Sequence, residues 1–206
     1  MTEMSFLGRE DTMSKASEKR ELILRSAKNV FIRKGFNRVT MKDIIDECKI
    51  SRGGIYLYFS SVDEIFVEVV KRHNEEKIGD IKACIENSPD FSRVVDDFFA
   101  DQKQRLLNMD RSLFVAMMEF CFGHKNVLNR DFYTEQFHNT KVIVMELLKS
   151  GRRKQSVVAK DIDRLADSIM LLIEGLRCLA VSSRISPELV DSQFRVCKEM
   201  IFSNLF

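Results

Sequence analysis

Apolar residues recur along most of the chain at intervals of three and four positions, which is the spacing of one face of an α-helix. The pattern is clearest from Ile23 to Phe31, from Ile65 to Val70 and from Leu165 to Leu176. No segment alternates apolar and polar residues with the period of two that marks a strand, and no internal repeat is visible. The chain of 206 residues is therefore predicted to be all-α.

Residues that start and stop helices divide this pattern into elements. Ser17 and Gly35 bound a first helix at about 17–34, and Ser61 with Glu64 forms a capping box for a long helix to about residue 86. Beyond a break at Pro89, four or five further helices are predicted, at about 91–107, 111–122, 127–149 (ended by Ser150-Gly151), 161–183 and 187–206. Residues 1–16 are predicted to be a disordered tail.

Residues 40–59, TMKDIIDECKISRGGIYLYF, hold two short capped helices and a tight turn. Thr40 is placed to cap the first helix, where Asp43 adds negative charge to the first turn, and Ser51 is placed to cap the second. Two helices joined in this way form a helix-turn-helix, a unit that puts its second helix into the major groove of DNA.

The second short helix has a small, polar and aromatic outer face. Its inward side holds Ile55 and Phe59, and the outward residues are Gly53, Gly54, Tyr56 and Leu57, with Arg52 at the start. Each glycine costs roughly 1 kcal/mol relative to alanine inside a helix. That cost is consistent with a bulky object, such as a DNA duplex, approaching the backbone closely.

Charge is unevenly distributed along the chain. The whole chain carries a net charge of +2, whereas residues 15–60 hold eleven Lys or Arg against five Asp or Glu, a net charge of +6. A basic N-terminal third on a nearly neutral protein favours contact with phosphates.

Other classes of protein find little support in the sequence. The chain has no run of 18 apolar residues that could span a membrane, and the N-terminus carries acidic residues and has no apolar core of signal-peptide length, so a cytoplasmic location is predicted. The five scattered cysteines favour neither a disulfide framework nor a metal site. The chain also has no Ser-His-Asp or Cys-His arrangement and no glycine-rich phosphate loop, so we predict no enzymatic activity and no cofactor.

The segment ILRSAKNVFIRKGFNRVTMKDIIDECKISRGGIYLYFSSVDEIF resembles the DNA-binding domain of the TetR family of bacterial transcription regulators. It contains the F-x-x-K-G-F pattern, a threonine opening the second helix, the D-I-I-x-x-x-x-I-S alternation and the G-x-Y-x-Y-F block. The segment DRLADSIMLLIEGL is similar to the penultimate helix of that family, which commonly carries a buried glycine, here Gly175.

The resemblance implies a helix-turn-helix domain over residues 17–61 and a helical effector-binding and dimerisation domain over residues 62–206. It further implies a homodimer formed through the last two helices, which reads palindromic operator DNA and is released, as a repressor, by a small molecule. Ligand binding would move the fourth helix and change the distance between the two helix-turn-helix domains of the dimer.

The resemblance also implies roles for individual residues. Thr40 and Lys42 would contact phosphates. Arg52, Gly53, Gly54 and Leu57 would lie at base edges, although Arg52 could equally contact a phosphate. Tyr56 and Tyr58 would reach the DNA backbone, with core packing the alternative for Tyr58.

One position departs from the family pattern. A lysine that commonly binds phosphate at the start of the fourth helix is replaced here by Val62. The contact is then either lost or supplied by the hydroxyl of Ser51 or Ser60, or by the backbone N–H groups at that helix start.

An aromatic and methionine-rich region marks the effector side of the chain. Eight of the sixteen phenylalanines lie between Phe91 and Phe137. Such a region suits an adaptable pocket for an apolar or amphipathic molecule, although an ordinary helical core has the same composition. The predicted ligand-binding residues are Phe99, Met109, Phe114, Met117, Met118, Cys121, Phe137 and Met145.

Three polar residues in or near this region admit two interpretations. Glu119, within FVAMMEFCF, would pair with a cationic ligand or lie on the solvent side of its helix. His124 and His138 would be pocket groups or surface residues. A regulator controlled by a partner protein is the alternative to a regulator controlled by a small ligand.

Overall fold

The computed structural model describes residues 4–88, 90–123, 127–154, 156–157 and 160–203, and over these ranges the chain is helical with no β-strand. The α-helices are α1 (Met4–Lys34), α2 (Met41–Cys48), α3 (Arg52–Tyr56), α4 (Val62–Asn87), α5 (Phe91–Leu107), α6 (Leu113–Gly123), α7 (Val127–Arg153), α8 (Ile162–Ser182) and α9 (Pro187–Phe202). A 3₁₀ turn covers Met109–Arg111. The all-α prediction is confirmed, whereas Pro89 and His124 lie outside the described residues.

The first helix begins earlier than predicted. Residues 4–16 were predicted to be disordered, yet they belong to α1, and Ser17 is an interior residue rather than a cap. This stretch holds no proline and several good helix formers, so a helix that is nucleated by the packed residues after Ile23 propagates toward the N-terminus.

The seventh helix ends later than predicted, because Ser150-Gly151 does not stop it. Gly151 is a buried packing position in α7. A Cβ atom there would collide with the ring of Phe91 and lie 2.6 Å from Cγ2 of Val157. The glycine therefore allows close contact between α7 and its neighbours and does not provide a left-handed cap.

An N-terminal core joins α1, α2 and α3 to the first turns of α4 and to α6. Its centre is a cluster of phenylalanine rings in which Phe66 lies 4.8 Å from Phe31, 5.0 Å from Phe36 and 5.0 Å from Phe120, centroid to centroid. Because Phe120 belongs to α6, the helix-turn-helix is packed directly against the C-terminal part of the chain.

A second core is formed by α5, α7, α8, α9 and the far end of α4. Phe99 of α5 and Phe194 of α9 lie at its centre, with ring centroids 4.9 Å apart. The helix α4 contributes Ile65 to Val70 to the N-terminal core and Ile81 to the second core. One uninterrupted helix therefore connects the two cores.

The outer faces of α8 and α9 expose apolar side chains. Leu171 is 64% exposed, and Leu179, Leu189 and Val196 are also exposed. Gly175 shares this face, and a Cβ atom added to it would meet no atom within 4 Å. Gly175 was expected to be buried, but in the single chain it is exposed. Among the described residues, no other helix packs on this face.

Candidate DNA interface and internal cavity

The start of α2 is fixed by a reciprocal capping box between Thr40 and Asp43. Thr40 Oγ1 accepts a hydrogen bond from the backbone N–H of Asp43 at 3.3 Å, and Asp43 Oδ2 accepts from the Thr40 N–H at 2.9 Å. Lys34 Nζ donates to Asp43 Oδ1 at 2.6 Å, and this contact together with the Thr40 hydrogen bonds lowers the pKa of Asp43 to about 2. The α1–α2 connection is thus rigid, with Thr40 and Lys42 exposed beside it.

The turn between α2 and α3 uses a left-handed lysine. Lys49 has φ of 56° and ψ of 32°, and its N–H donates to the carbonyl of Ile45 at 3.0 Å. Ser51 Oγ then accepts from the N–H of Gly54 at 3.2 Å and caps α3, as the sequence predicted. Both ends of the turn are therefore hydrogen-bonded, which holds α3 at a fixed angle to α2.

The outer face of α3 presents large side chains to solvent. Leu57 is 82% exposed and Tyr56 is 44% exposed, while the neighbouring Ile55 is fully buried in the N-terminal core. The guanidinium of Arg52 lies 5.7 Å from the centroid of the Tyr56 ring, within the range of a cation–π contact. This contact leaves Arg52 and Tyr56 on one exposed surface.

The two glycines of α3 have different environments. A Cβ at Gly54 would lie 2.7 Å from Ile50 Cγ2, so this glycine is required by packing inside the motif. A Cβ at Gly53 would meet no atom within 4 Å, and Gly53 is exposed. The sequence interpretation assigned both glycines to close approach by a duplex, and the internal contact corrects it for Gly54.

Three residues after α3 have mainly structural contacts. Tyr58 and Val62 are partly buried and packed against the N-terminal core. Ser60 donates from both its N–H and its hydroxyl to Glu64 Oε2 at 2.7 Å, which lowers the pKa of Glu64. Glu64 therefore reaches Ser60 and not the N–H of Ser61, so the predicted Ser61–Glu64 capping box is only half formed, with Ser61 Oγ accepting from Glu64 N–H at 3.1 Å.

A cavity of about 530 Å³ lies between α1, α4, α5, α6, α7 and α8. Of the eight residues predicted to bind a ligand, four line it: Met109, Phe114, Met117 and Phe137. The apolar part of the wall is extended by residues such as Phe98, Met170 and Ile173.

The other four predicted residues lie elsewhere. Phe99 packs between Phe98 and Phe194 in the second core, and Met118 and Met145 pack against that core. Cys121 packs against the N-terminal core, where burial raises the pKa of its thiol to about 11. Helical geometry explains these positions, because neighbouring residues of one helix face different directions and only one face of α5, α6 or α7 reaches the cavity.

Sequence reasoning missed the polar part of the cavity wall. Glu174 on α8 accepts from Arg177 at 2.6 Å and from the hydroxyl of Tyr133 at 3.2 Å, and burial beside this carboxylate raises the pKa of Tyr133. Gln102 and Gln136, which are polar residues in otherwise inward-facing positions of α5 and α7, were the available indication in the sequence.

His73 is a further cavity residue that the sequence interpretation did not use. It is largely buried on α4, and Lys28 Nζ lies 3.2 Å from its Nδ1. Burial, reinforced by Lys28, Arg105 and Lys77, lowers the pKa of His73 to about 4. The ring is therefore neutral at physiological pH. His138, by contrast, is exposed, and its ring lies beside that of Phe137.

Glu119 lies at neither of its two predicted positions. It is partly buried on α6 and accepts a hydrogen bond from the backbone N–H of Asn37, in the connection between α1 and α2, at 2.9 Å. The carboxylate therefore joins the two parts of the chain, away from the cavity wall.

The described residues contain neither a metal-binding cluster nor a membrane-spanning helix. No group of three or more His, Cys, Asp or Glu side chains there is arranged to hold a metal ion. No helix in the same ranges has the length and apolar character needed to cross a membrane. All five cysteines are free thiols, and burial raises the pKa of Cys197 to about 12.

The rigid two-helix motif with an exposed second helix, followed by a helical part enclosing a cavity, defines a helix-turn-helix protein of the regulatory class. The family model described as "Bacterial regulatory proteins, tetR family" matches residues 23–69. Residues 23–69 therefore match the DNA-binding part of this family, as the resemblance implied. The family model is described as one of bacterial regulatory proteins, and the matched relatives are named as transcriptional regulators.

Individual similar proteins support the same assignment. The uncharacterized HTH-type transcriptional regulator YfiR of Bacillus subtilis is 52% identical over 54 residues, which are 26% of either chain. The nicotine-responsive transcriptional repressor HdnoR of Paenarthrobacter nicotinovorans is 22% identical over 162 residues, covering 77% of this chain and 81% of that protein. The chain matches only 20% to 49% of the length of the curated relatives YfiR and YuxN of Bacillus subtilis and FasR of Mycolicibacterium smegmatis.

The overall fold is also that of solved structures. The reduced form of Escherichia coli NemR superposes with a TM-score of 0.73 at 17% identity, covering 91% of this chain and all of NemR. At this identity the likeness concerns the fold, which therefore extends through the C-terminal helices.

Proposed function

We propose that the chain is a ligand-responsive transcriptional repressor, which binds palindromic operator DNA as a homodimer and releases it when a small molecule fills the cavity. The observation that carries the proposal is the outer face of α3, where Leu57, Tyr56 and Arg52 project from a short helix whose other side is fully buried. An 82% exposed leucine on such a helix is explained by a partner that covers it, and the methyl group of thymine is a suitable apolar contact.

The roles of individual residues follow from their positions. Arg52 is proposed to read a base edge in the major groove, with its orientation supported by the Tyr56 ring. Lys42, Thr40 and Tyr56 are proposed to contact phosphates, together with the Ser51 end of α3. Ser60 is a weaker substitute for the missing lysine at position 62, because its hydroxyl and N–H are both engaged by Glu64.

Dimerisation is proposed through α8 and α9. Leu171, Gly175 and Leu179 repeat at intervals of four along the exposed side of α8, and Leu189 and Val196 repeat at an interval of seven on α9. Two such helices from each chain form a four-helix interface that would cover these apolar residues. A two-fold axis there would give the two α3 helices the symmetry of a palindromic site.

Ligand control is proposed to act through α4. Val70, His73, Asn74, Lys77 and Ile81 on this helix line the cavity. Ile65, Phe66 and Val69, nearer the N-terminus of the same helix, are buried in the N-terminal core. A ligand that shifts the cavity end of the helix would therefore move the DNA-binding core and change the distance between the two reading helices. The cavity favours a small molecule over a partner protein as the effector, and HdnoR is a relative whose name states such a response.

The proposal is tested by footprinting the purified protein on the DNA beside its own gene. We expect protection of a palindrome with half-sites about one helical turn apart, or a multiple of that spacing. A folded dimer that protects no palindrome at moderate salt would contradict the proposal.

The division of roles between Arg52 and Lys42 is tested on specific and random DNA. Arg52→Ala is expected to weaken specific binding by about tenfold and random binding little. Lys42→Ala is expected to weaken both similarly and to reduce the salt dependence by about one counterion. Equal losses on both kinds of DNA in both variants would contradict this division.

A further inference from the structure

Gln136 on α7 lines the cavity with a side-chain amide that is only half satisfied. The residue is 3% exposed, and its Oε1 accepts a hydrogen bond from Asn74 Nδ2 on α4 at 2.6 Å. Its Nε2 is buried and has no acceptor among the described residues. Leaving a donor in this state is unfavourable, so a buried orphan at a cavity wall indicates a position where a bound molecule supplies the acceptor.

The cations of the cavity wall are already paired with carboxylates. The pairs are Lys28–Glu76 at 3.3 Å, Lys77–Asp80 at 3.0 Å, Arg105–Asp101 at 2.7 Å and Arg177–Glu174 at 2.6 Å. The remaining basic group, His73, is buried and neutral at physiological pH. An anionic head group would therefore have to share each of these cations with a carboxylate that already lies against it.

The most buried carboxylate of the wall is also occupied. Glu174 has a side chain only 14% exposed, and its two oxygens accept hydrogen bonds from Arg177 and Tyr133. A cationic ligand would therefore find no free buried carboxylate at this position. The remaining surface is rich in apolar side chains, and a volume of about 530 Å³ is ordinary for a site that holds a small organic molecule.

We propose that the effector is an uncharged, mainly apolar molecule with a carbonyl-type acceptor, and that Gln136 Nε2 donates a hydrogen bond to this acceptor. This inference rests on the proposed function, because it names the ligand class of the same cavity. It makes Gln136 the specificity-determining residue of the site, with Asn74 as the positioning residue that holds the amide.

The test uses four probes that share a phenyl ring and a five-carbon chain or its ketone equivalent. They are valerophenone, pentylbenzene, 5-phenylpentanoate and 5-phenylpentylammonium. Binding to the purified full-length protein is measured by calorimetry without DNA. Valerophenone is expected to bind about tenfold more tightly than pentylbenzene, in which a methylene replaces the carbonyl, and more tightly than either ion.

Two variants test whether ligand binding depends on the side-chain amide of Gln136 or on the rest of the cavity wall. Gln136→Leu should weaken valerophenone binding about tenfold and leave pentylbenzene binding unchanged or stronger. Thr140→Val is the matched control on the same face of α7, because the Thr140 hydroxyl already donates to the backbone carbonyl oxygen of Gln136 at 2.9 Å. It should bind valerophenone like the unmodified protein.

Three results would overturn the inference: tighter binding of an ion than of valerophenone, undiminished valerophenone binding by Gln136→Leu, or binding of none of the probes. The proposed function is tested separately by operator binding. Release of operator by 5-phenylpentanoate alone would support the function and overturn the ligand class. Gln136-dependent ketone binding by a protein that protects no palindrome would support the ligand class and contradict the function.

Discussion

Glu119 on α6 accepts a hydrogen bond from the backbone N–H of Asn37 at 2.9 Å, across 82 residues of sequence. The carboxylate also lies against Gly35, where φ is +73° and a Cβ atom would come within 2.6 Å of Glu119 Oε2. Leu113, Phe114 and Met117, on the same helix α6, line the cavity. The contact therefore gives the cavity a second connection to the helix-turn-helix, beside α4.

Replacing Glu119 should weaken this connection. Glu119→Ala is expected to lower the free energy of unfolding by about 1 kcal/mol, because the Asn37 N–H loses a charged acceptor. It should also reduce the extent to which a bound effector lowers operator affinity, measured by gel shift with and without ligand. Glu135→Ala, at an exposed site on α7, is the control and should change neither quantity. Unchanged ligand response in a folded Glu119→Ala protein would limit the contact to a structural role.

Gly53 should show opposite effects on stability and DNA binding. Its surroundings are open, so Gly53→Ala is expected to raise the free energy of unfolding by about 0.5 kcal/mol through helix propensity. The added methyl group should lower operator affinity if the duplex approaches the backbone there. Gly54→Ala is the comparison, since contact with Ile50 predicts destabilisation instead. Thermal melts and gel shifts measure both effects, and normal operator binding by Gly53→Ala would exclude close approach at that residue.

His73 should make stability depend on pH. Its pKa is about 4 in the folded protein and near 6.5 when unfolded, because burial and nearby Lys28 disfavour the charged ring. The unfolded chain binds the extra proton between these values, so this contribution to stability is complete above pH 6.5 and is lost as pH falls toward 4. The loss is on the order of 3 kcal/mol.

Denaturant titrations at several pH values test this dependence. His73→Gln removes the titrating group and should flatten the stability profile between pH 6.5 and pH 4. His138→Gln, at an exposed site on α7, should leave the profile unchanged. A profile of the same slope in His73→Gln would assign the pH dependence to other groups.

Leu171 should control assembly. Leu171→Glu places a charge in the centre of the proposed α8–α9 interface, and we expect the dimer to dissociate at micromolar concentration while each chain keeps its helical content. Sedimentation and circular dichroism measure these two properties. Ala100→Glu, on the exposed side of α5, is the control. A Leu171→Glu protein that remains dimeric would place the interface elsewhere.

Local patterns predicted the helices and the DNA-binding motif well, because caps such as Thr40 and Ser51 act within a few residues. The cavity was harder to predict, since its wall combines one face from each of several helices. Phe99 and Phe98 are adjacent in sequence, yet only Phe98 reaches the cavity. The roles of Gly151 and Glu119 depend on contacts with Phe91 and Asn37, more than 50 positions away, so no local pattern could have revealed them.

The helix α4 belongs to both cores, and this has a consequence for dividing the protein. A fragment ending at residue 61 would lack Ile65, Phe66 and Val69. A fragment starting there would keep Phe66 against Phe120 but lose Phe31 and Phe36, the other rings of the cluster around Phe66. Neither half would keep its own interior. The helix-turn-helix and the part that lines the cavity are therefore not independent folding units, and exchanging one of them between related proteins would require transferring α4 and α6 together with the interior they share.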